Sequence, residues 1–209
     1  MSRSPVFTID DLAAAGLAVA RHDGWPAVSV RSVAAQLGVT PMALYRLAPD
    51  AVALRRLIAD AAAPPVRPDD GPLAAVLRGW AVDAYRQLGH HPLLASFVIL
   101  EWTELPAWLD VVEALLAAAA ADGVTGAEAV AAVNAVFAFV LARAQLRDAA
   151  AAAPRRELAP LAAEPHRYPH IGANRPEFAV RQIDKHFAVG LDALLTNAQQ
   201  IARNSLSNR

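Results

Sequence analysis

Along the first sixty residues the apolar positions recur at helical spacing and never alternate as a strand would. Ile9, Leu12, Ala13, Gly16, Leu17 and Ala20 form one stripe, which predicts an amphipathic helix over about 9–23. Thr8, with Asp11 three residues on, reads as a near capping box, and Gly24 before Trp25-Pro26 stops the helix. Gly16 inside the stripe predicts the close approach of a second helix. Ser29 caps a short helix, 30–37, that ends at Gly38. Thr40 caps a third, with Pro41 at its first position, and this one runs to about Leu47 before Pro49 forces the chain out. Val33, Ala34 and Leu37 face inward from one of these helices, and Val39, Leu44 and Leu47 from the other. Asp50 caps a fourth helix, 51–63, with Leu54, Leu57 and Ile58 inward.

Two two-turn helices joined by Gly38-Val39-Thr40 make a helix-turn-helix. The Pro/Asp/Gly-rich run Pro64–Pro72 breaks the pattern and predicts a hinge between an N-terminal module, 1–63, and a larger C-terminal one, 64–209. Beyond it the apolar spacing predicts helices over 72–90, 92–101, 106–122 and about 126–152, the last opened by the capping box Thr125-Gly126-Ala127-Glu128. Five prolines between 154 and 176 predict a long loop, and a final helix runs over 176–202. The fold class is therefore all-α, a helix-turn-helix domain followed by a helical bundle.

Composition agrees. Alanine supplies 50 of 209 residues, and Ala is the best helix former and a poor strand former. The longest uncharged apolar stretch, 129–142, is too short to span a bilayer and reads as a core helix. The first thirty residues hold Asp10, Asp11 and Asp23 and no long apolar core, so a cytoplasmic protein is expected. With no cysteine there are no disulfides, thiolate metal sites or thiol catalysis. Gly-x-Ser-x-Gly, His-Glu-x-x-His and phosphate-loop motifs are absent, and the expectation is a non-enzyme without cofactor. His166 and His170 are four apart, but Pro169 between them spoils a shared helix face, so no metal site is expected. Net charge is −1, which by itself announces no nucleic-acid partner, yet Ser29–Arg56 holds four Arg against one Asp.

The run Ile9–Leu17–Gly24, Ser29-Val30-Arg31-Ser32-Val33-Ala34, Leu37-Gly38-Val39-Thr40 and Leu44-Tyr45 resembles the N-terminal DNA-binding domain of the TetR family of transcriptional repressors. Gly89-His90-His91-Pro92 and Phe187–Leu195 resemble parts of the tetracycline-repressor-like C-terminal domain. The resemblance implies a homodimer on double-stranded operator DNA. The implied contacts are Ser29, Arg31, Thr40, Pro41, Met42, Ala43, Tyr45 and Arg46, with helix N-termini and hydroxyls on phosphate and the recognition helix in the major groove. Where family members carry a phosphate-touching lysine on the fourth helix this chain has Ala51, leaving Arg46, Arg55 and Arg56 as stand-ins. Ala129, Ala132 and Ala135, with Ala188 and Ala193, are the small faces expected to pack across the dimer.

The family also binds a small-molecule effector between the C-terminal helices. Trp80, Tyr85, Phe97, Trp102, Trp108 and Phe137 are the large side chains set among alanines there, and they are the candidate lining of an apolar pocket. Glu101, Glu104 and Arg143 are the nearby ionisable groups. Each aromatic taken singly also reads as plain core. The competing reading of the whole chain is an all-helical small-molecule-binding protein whose N-terminal hairpin is structural only.

Overall fold

The computed structural model describes residues 7–67, 71–152, 165–178 and 183–207. Ten α-helices carry them: α1 (Ile9–Asp23), α2 (Val30–Leu37), α3 (Pro41–Leu44), α4 (Ala51–Asp60), α5 (Leu73–Gly89), α6 (Leu94–Glu101), α7 (Pro106–Ala121), α8 (Gly126–Ala152), α9 (Pro169–Ala173) and α10 (Ile183–Ser207). Among the described residues no strand forms.

The N-terminal helices begin and end where local chemistry dictates. Thr8 accepts from the Asp11 amide, and the Asp11 carboxylate accepts from the Thr8 amide at 2.8 Å, so two orphan donors are satisfied at once. Those bonds hold the Asp11 pKa below its ordinary value. Ser29 and Ser32 repeat the device on α2, and Ser32 Oγ also donates to the Ala27 carbonyl at 2.8 Å. Gly38 closes α2 at φ 67°, a left-handed cap that costs glycine little. α1 lies against α2 and α4, and Gly16 packs directly on Ile58 of α4. A Cβ there would sit 2.5 Å from Ile58 Cγ1 and nearer still to its Cδ1.

Several boundaries and faces differ from expectation. α3 stops at Leu44 rather than Leu47, because the amides of Leu47 and Ala48 both return to the Leu44 carbonyl at 2.9 Å. That tight turn carries Tyr45 and Arg46 and leaves Leu47 exposed, as is Ile9 at the start of α1. Thr40 precedes α3 without a side-chain cap bond. α4 ends at Asp60, short of Ala63. In the proline-rich segment after α8, the described part is not plain loop: it holds 3₁₀ turns at Pro165–Arg167 and Arg175–Phe178 and the short α9. Arg175–Phe178, where the last helix is expected to begin, is a 3₁₀ turn, and the described part of that helix is Ile183–Ser207. Residues 68–70 of the expected hinge, 153–164 of the expected loop and 179–182 of the expected last helix lie outside the described residues.

α8 is the axis of the C-terminal bundle and packs against α5, α6, α7 and α10. By length and composition it would suffice to cross a bilayer, but 44% of its most apolar window is buried inside the protein, as in a core helix. Ala129 and Ala132 point into the core. They are not available to a dimer face, and Ala131, Ala135 and Ala138 are the exposed small residues instead. α5 has no side-chain cap of its own: its first amide, Leu73, donates to the Asp122 carboxylate at the end of α7, 2.7 Å away. One apolar core runs from Leu12 to Ala202 through both halves of the chain.

Gly16→Ala provides a test of the α1–α4 contact. Alanine gains about 1 kcal/mol of helix propensity, but overpacking a filled core costs about 1–3 kcal/mol. Overlap with Ile58 Cγ1 as well as its tip leaves no rotamer escape, so net destabilisation is expected in chemical unfolding. In an Ile58→Ala background the same change should become neutral or stabilising. An equal penalty in both backgrounds would show that Ile58 is not the obstacle.

Candidate DNA-binding and ligand-binding sites

The capping of α2 and the Gly38 turn present one continuous outer face. Arg31, Thr40, Pro41, Met42, Tyr45 and Arg46 are exposed on it, Met42 by 75%, while Ser29 and Ala43 are half-buried. Leu44, Val33 and Ala34 pin the face from beneath. Met42 and Tyr45 put apolar surface next to the two arginines on this face. Among the described residues neither Arg31 nor Arg46 has a carboxylate within 4 Å. Two other arginines of this half, both on α4, are committed. Arg55 donates to the carbonyls of Val28 (3.1 Å) and Pro26 (3.4 Å), locking the turn before α2. Arg56 bonds Glu101 at 2.7 Å and reaches Glu104 at 3.7 Å. Of the three stand-ins for the family lysine, only Arg46 has no carboxylate or carbonyl partner among the described residues.

The six candidate pocket aromatics do not form one lining. Phe137 on α8 is the hub of four of them: it stacks on Trp80 (5.6 Å, 5°) and meets Trp102 (5.5 Å) and Trp108 (6.0 Å). Tyr85 belongs to a second group, stacked on Phe187 at 3.9 Å with the Arg147 guanidinium 4.2 Å over its other face. Its hydroxyl donates to Asp184 at 2.8 Å, and burial first, then this bond, pushes its pKa to about 12. Phe97 faces the other way, against Trp25 at 5.2 Å. Beside the Phe137 hub lies a space of only about 90 Å³, bordered by Trp102, Val112, Leu116, Val133, Asn134 and Phe137. Ligand pockets usually measure about 300–1,000 Å³, so a drug-sized guest does not fit inside the hub as it stands. Glu101 turns away from that space to Arg56, and Arg143 donates to the Ile183 carbonyl at 2.8 Å. Among the described residues no group of three or more metal-ligating side chains occurs.

What joins the two halves was not legible in the sequence. Trp108, fully buried, donates its indole N–H to the Ala59 carbonyl at 2.9 Å, and the Ala107 amide donates to Asp60 at 2.7 Å. The Trp25 amide donates to the Pro92 carbonyl at 3.2 Å. Next to Pro92, Leu93 takes φ 68°, unusual for a residue with a branched side chain, and its amide donates to the buried Asp148 of α8 at 2.8 Å. Burial pushes the Asp148 pKa up. His91, in the same turn, is 1% exposed and lies against Leu17 of α1.

A family profile described as the tetracyclin repressor-like C-terminal domain matches residues 64–197. The chain belongs to the TetR family of transcriptional regulators. No curated protein is a significant sequence match to it. Solved structures share the fold across nearly the whole chain. ActR from Streptomyces coelicolor, in complex with (S)-DNPA, is 19% identical with a TM-score of 0.74, covering 95% of this chain and 100% of its own. A possible TetR family transcriptional regulator from the same organism is 19% identical with a TM-score of 0.75, covering 93% and 100%. BioQ of Mycobacterium smegmatis is 22% identical with a TM-score of 0.68, covering 92% and 98%, and BioQ has also been solved with its double-stranded DNA operator.

The buried imidazole at the junction makes a pH test. Burial first, then the charges of Arg21 and His90, lower the His91 pKa from 6.5 to about 4. The unfolded chain therefore takes up a proton that the folded one refuses between those values. Stability should fall as pH drops through 6.5 and level off below about 4. His91→Gln removes that contribution, so the loss of melting temperature from pH 7 to pH 4.5 should shrink relative to the parent. Identical losses would place the acid sensitivity elsewhere.

Proposed function

We propose that the protein is a dimeric, ligand-released repressor, with residues 1–63 as the DNA-binding domain and 64–209 as the effector-binding and dimerisation domain. The observation that carries this is the outer face of α2 and α3. Two arginines without a carboxylate partner among the described residues, hydroxyls, and an exposed Met and Tyr stand together beside a short helix narrow enough for the major groove. Capture of DNA by BioQ and of (S)-DNPA by ActR supports both halves of the reading at the level of the fold. Two such modules, spaced about 34–36 Å apart, match successive major grooves of a pseudo-palindromic site. An effector in the bundle biases the modules toward a spacing the duplex does not accept. A regulator working this way acts in the cytoplasm.

The dimer face in this reading is the exposed side of α8 and α10. Ala131, Ala135 and Ala138 from one helix and Val189 and Ala193 from the other leave small side chains outward, which allows close helix approach, while Ala188 turns toward the groove with α5. Gly190 lets Phe139 lie against α10, since a Cβ there would come within 2.6 Å of the ring.

Mobility shift on the DNA upstream of the protein's own reading frame tests the first half. Arg31→Ala and Arg46→Ala should each weaken binding by about 1–3 kcal/mol at matched salt. Two variants that bind like the parent would remove this face from the interface. No shift even at low salt would leave the binding-protein reading in its place. Sedimentation velocity should give a dimer at micromolar concentration, as expected of an interface above about 2,000 Å²; a stable monomer there contradicts the assembly.

A further inference from the structure

The room that the Phe137 hub lacks is found outside it. Two depressions of about 510 and 540 Å³ follow the groove between α5 and α10 and share Arg78 and Val82. The second is walled by Val82, Tyr85, Phe187, Ala188 and Leu191, with Arg78, Arg86, His90, Arg147 and Asp184 supplying its charge. Most of these charges are already answered. Arg78 lies 2.7 Å from Asp192, Arg86 lies 3.2 Å from Asp83, and Asp184 accepts the Tyr85 hydroxyl. Arg147 is different. Its Nη1 donates to the Tyr85 carbonyl at 3.0 Å, its plane lies over the Tyr85 ring, and its Nη2 is buried with no acceptor among the described residues. No described carboxylate comes within 4 Å of it.

Gly89 makes that placement possible, because a Cβ there would sit 2.7–2.8 Å from the guanidinium atoms. A half-buried cation with an unused donor is costly unless something negative completes it. The guanidinium fork matches a carboxylate, and the flat Tyr85–Phe187 stack beside it matches an aromatic face.

We propose that this groove is a binding site for a planar aromatic carboxylate, its carboxylate on Arg147 and its ring along Val82, Phe187 and Leu191. Asp184, lining the same space, disfavours a dianion and so favours a single carboxylate over a phosphate. Arg147 is followed by Asp148, which holds Leu93 and through it the turn that touches the Trp25 segment. Occupancy therefore pulls on the joint between bundle and DNA-binding helices. This second step rests on the repressor reading; the binding step does not.

Calorimetry on the full-length chain with 2-naphthoate and its neutral isostere 2-naphthamide tests the site. The acid should bind at least about tenfold tighter than the amide, the worth of one hydrogen bond to a charged group. Arg147→Met should abolish that preference. Gly89→Ala, which keeps the charge but displaces it, should weaken the acid alone, and it decides the matter if Arg147→Met fails to fold by circular dichroism. No heat from the acid at millimolar concentration, equal affinity for acid and amide, or an unchanged preference in a folded variant overturns the site. In mobility shifts, 2-naphthoate should release DNA from the parent and not from the Arg147 variant. Binding by calorimetry without release keeps the site and overturns the coupling. A chain that never binds DNA overturns the repressor reading, while the calorimetric result still judges the site.

Discussion

Trp108 is wholly buried, and its single donor is spent on the Ala59 carbonyl at the end of α4. An indole in such a place cannot shift without leaving its N–H unsatisfied, at a cost of about 1–3 kcal/mol. Asp60 adds a second tie by taking the first free amide of α7. The last turn of α4 thereby moves with α7, and α7 is packed on α8. The N-terminal helices are thus an extension of the bundle. Leu12 and Ala202 belong to one core for this reason. A small displacement of α7 is carried to Ile58, Gly16 and α1 as a rigid shift, since packed interiors transmit strain rather than absorb it.

Local rules made the N-terminal module readable. Thr8, Ser29, Gly38 and Asp50 act on groups within a few residues of themselves, so the limits of α1 and α2 and the starts of α3 and α4 follow from neighbouring residues alone. The end of α3 did not follow, because the Leu44 carbonyl is claimed by a tight turn that leads into α4. Leu47 was misassigned with it. The fates of Arg55 and Arg56 depended on partners at Val28 and Glu101, too distant in sequence for periodicity to reach. The same holds for α5, whose missing cap is Asp122 from α7.

The aromatic residues illustrate a different limit. Of the six aromatics expected in one lining, Trp80, Trp102, Trp108 and Phe137 meet in one cluster, and stacking fills it and leaves space for very little else. Tyr85 and Phe97 serve other surfaces. The groove between α5 and α10 has no signature in the order of residues, because Arg147, which lines it, is one of 18 arginines in a chain with a single lysine. Nothing in the order of residues distinguishes an arginine answered by Asp from one stacked on Tyr. Helical period placed it on α8; only the three-dimensional neighbours reveal its unused donor.

Leu93 sits at φ 68° with its amide tied to Asp148. A residue with a side chain holds such a backbone only while its surroundings insist, and the strain stored there is about 1–3 kcal/mol. The turn between α5 and α6 is therefore a loaded element with a catch on α8. Breaking the catch costs the Leu93–Asp148 hydrogen bond, and relief of the backbone strain returns part of that cost, so the turn yields at a lower cost than its hydrogen bond alone would set.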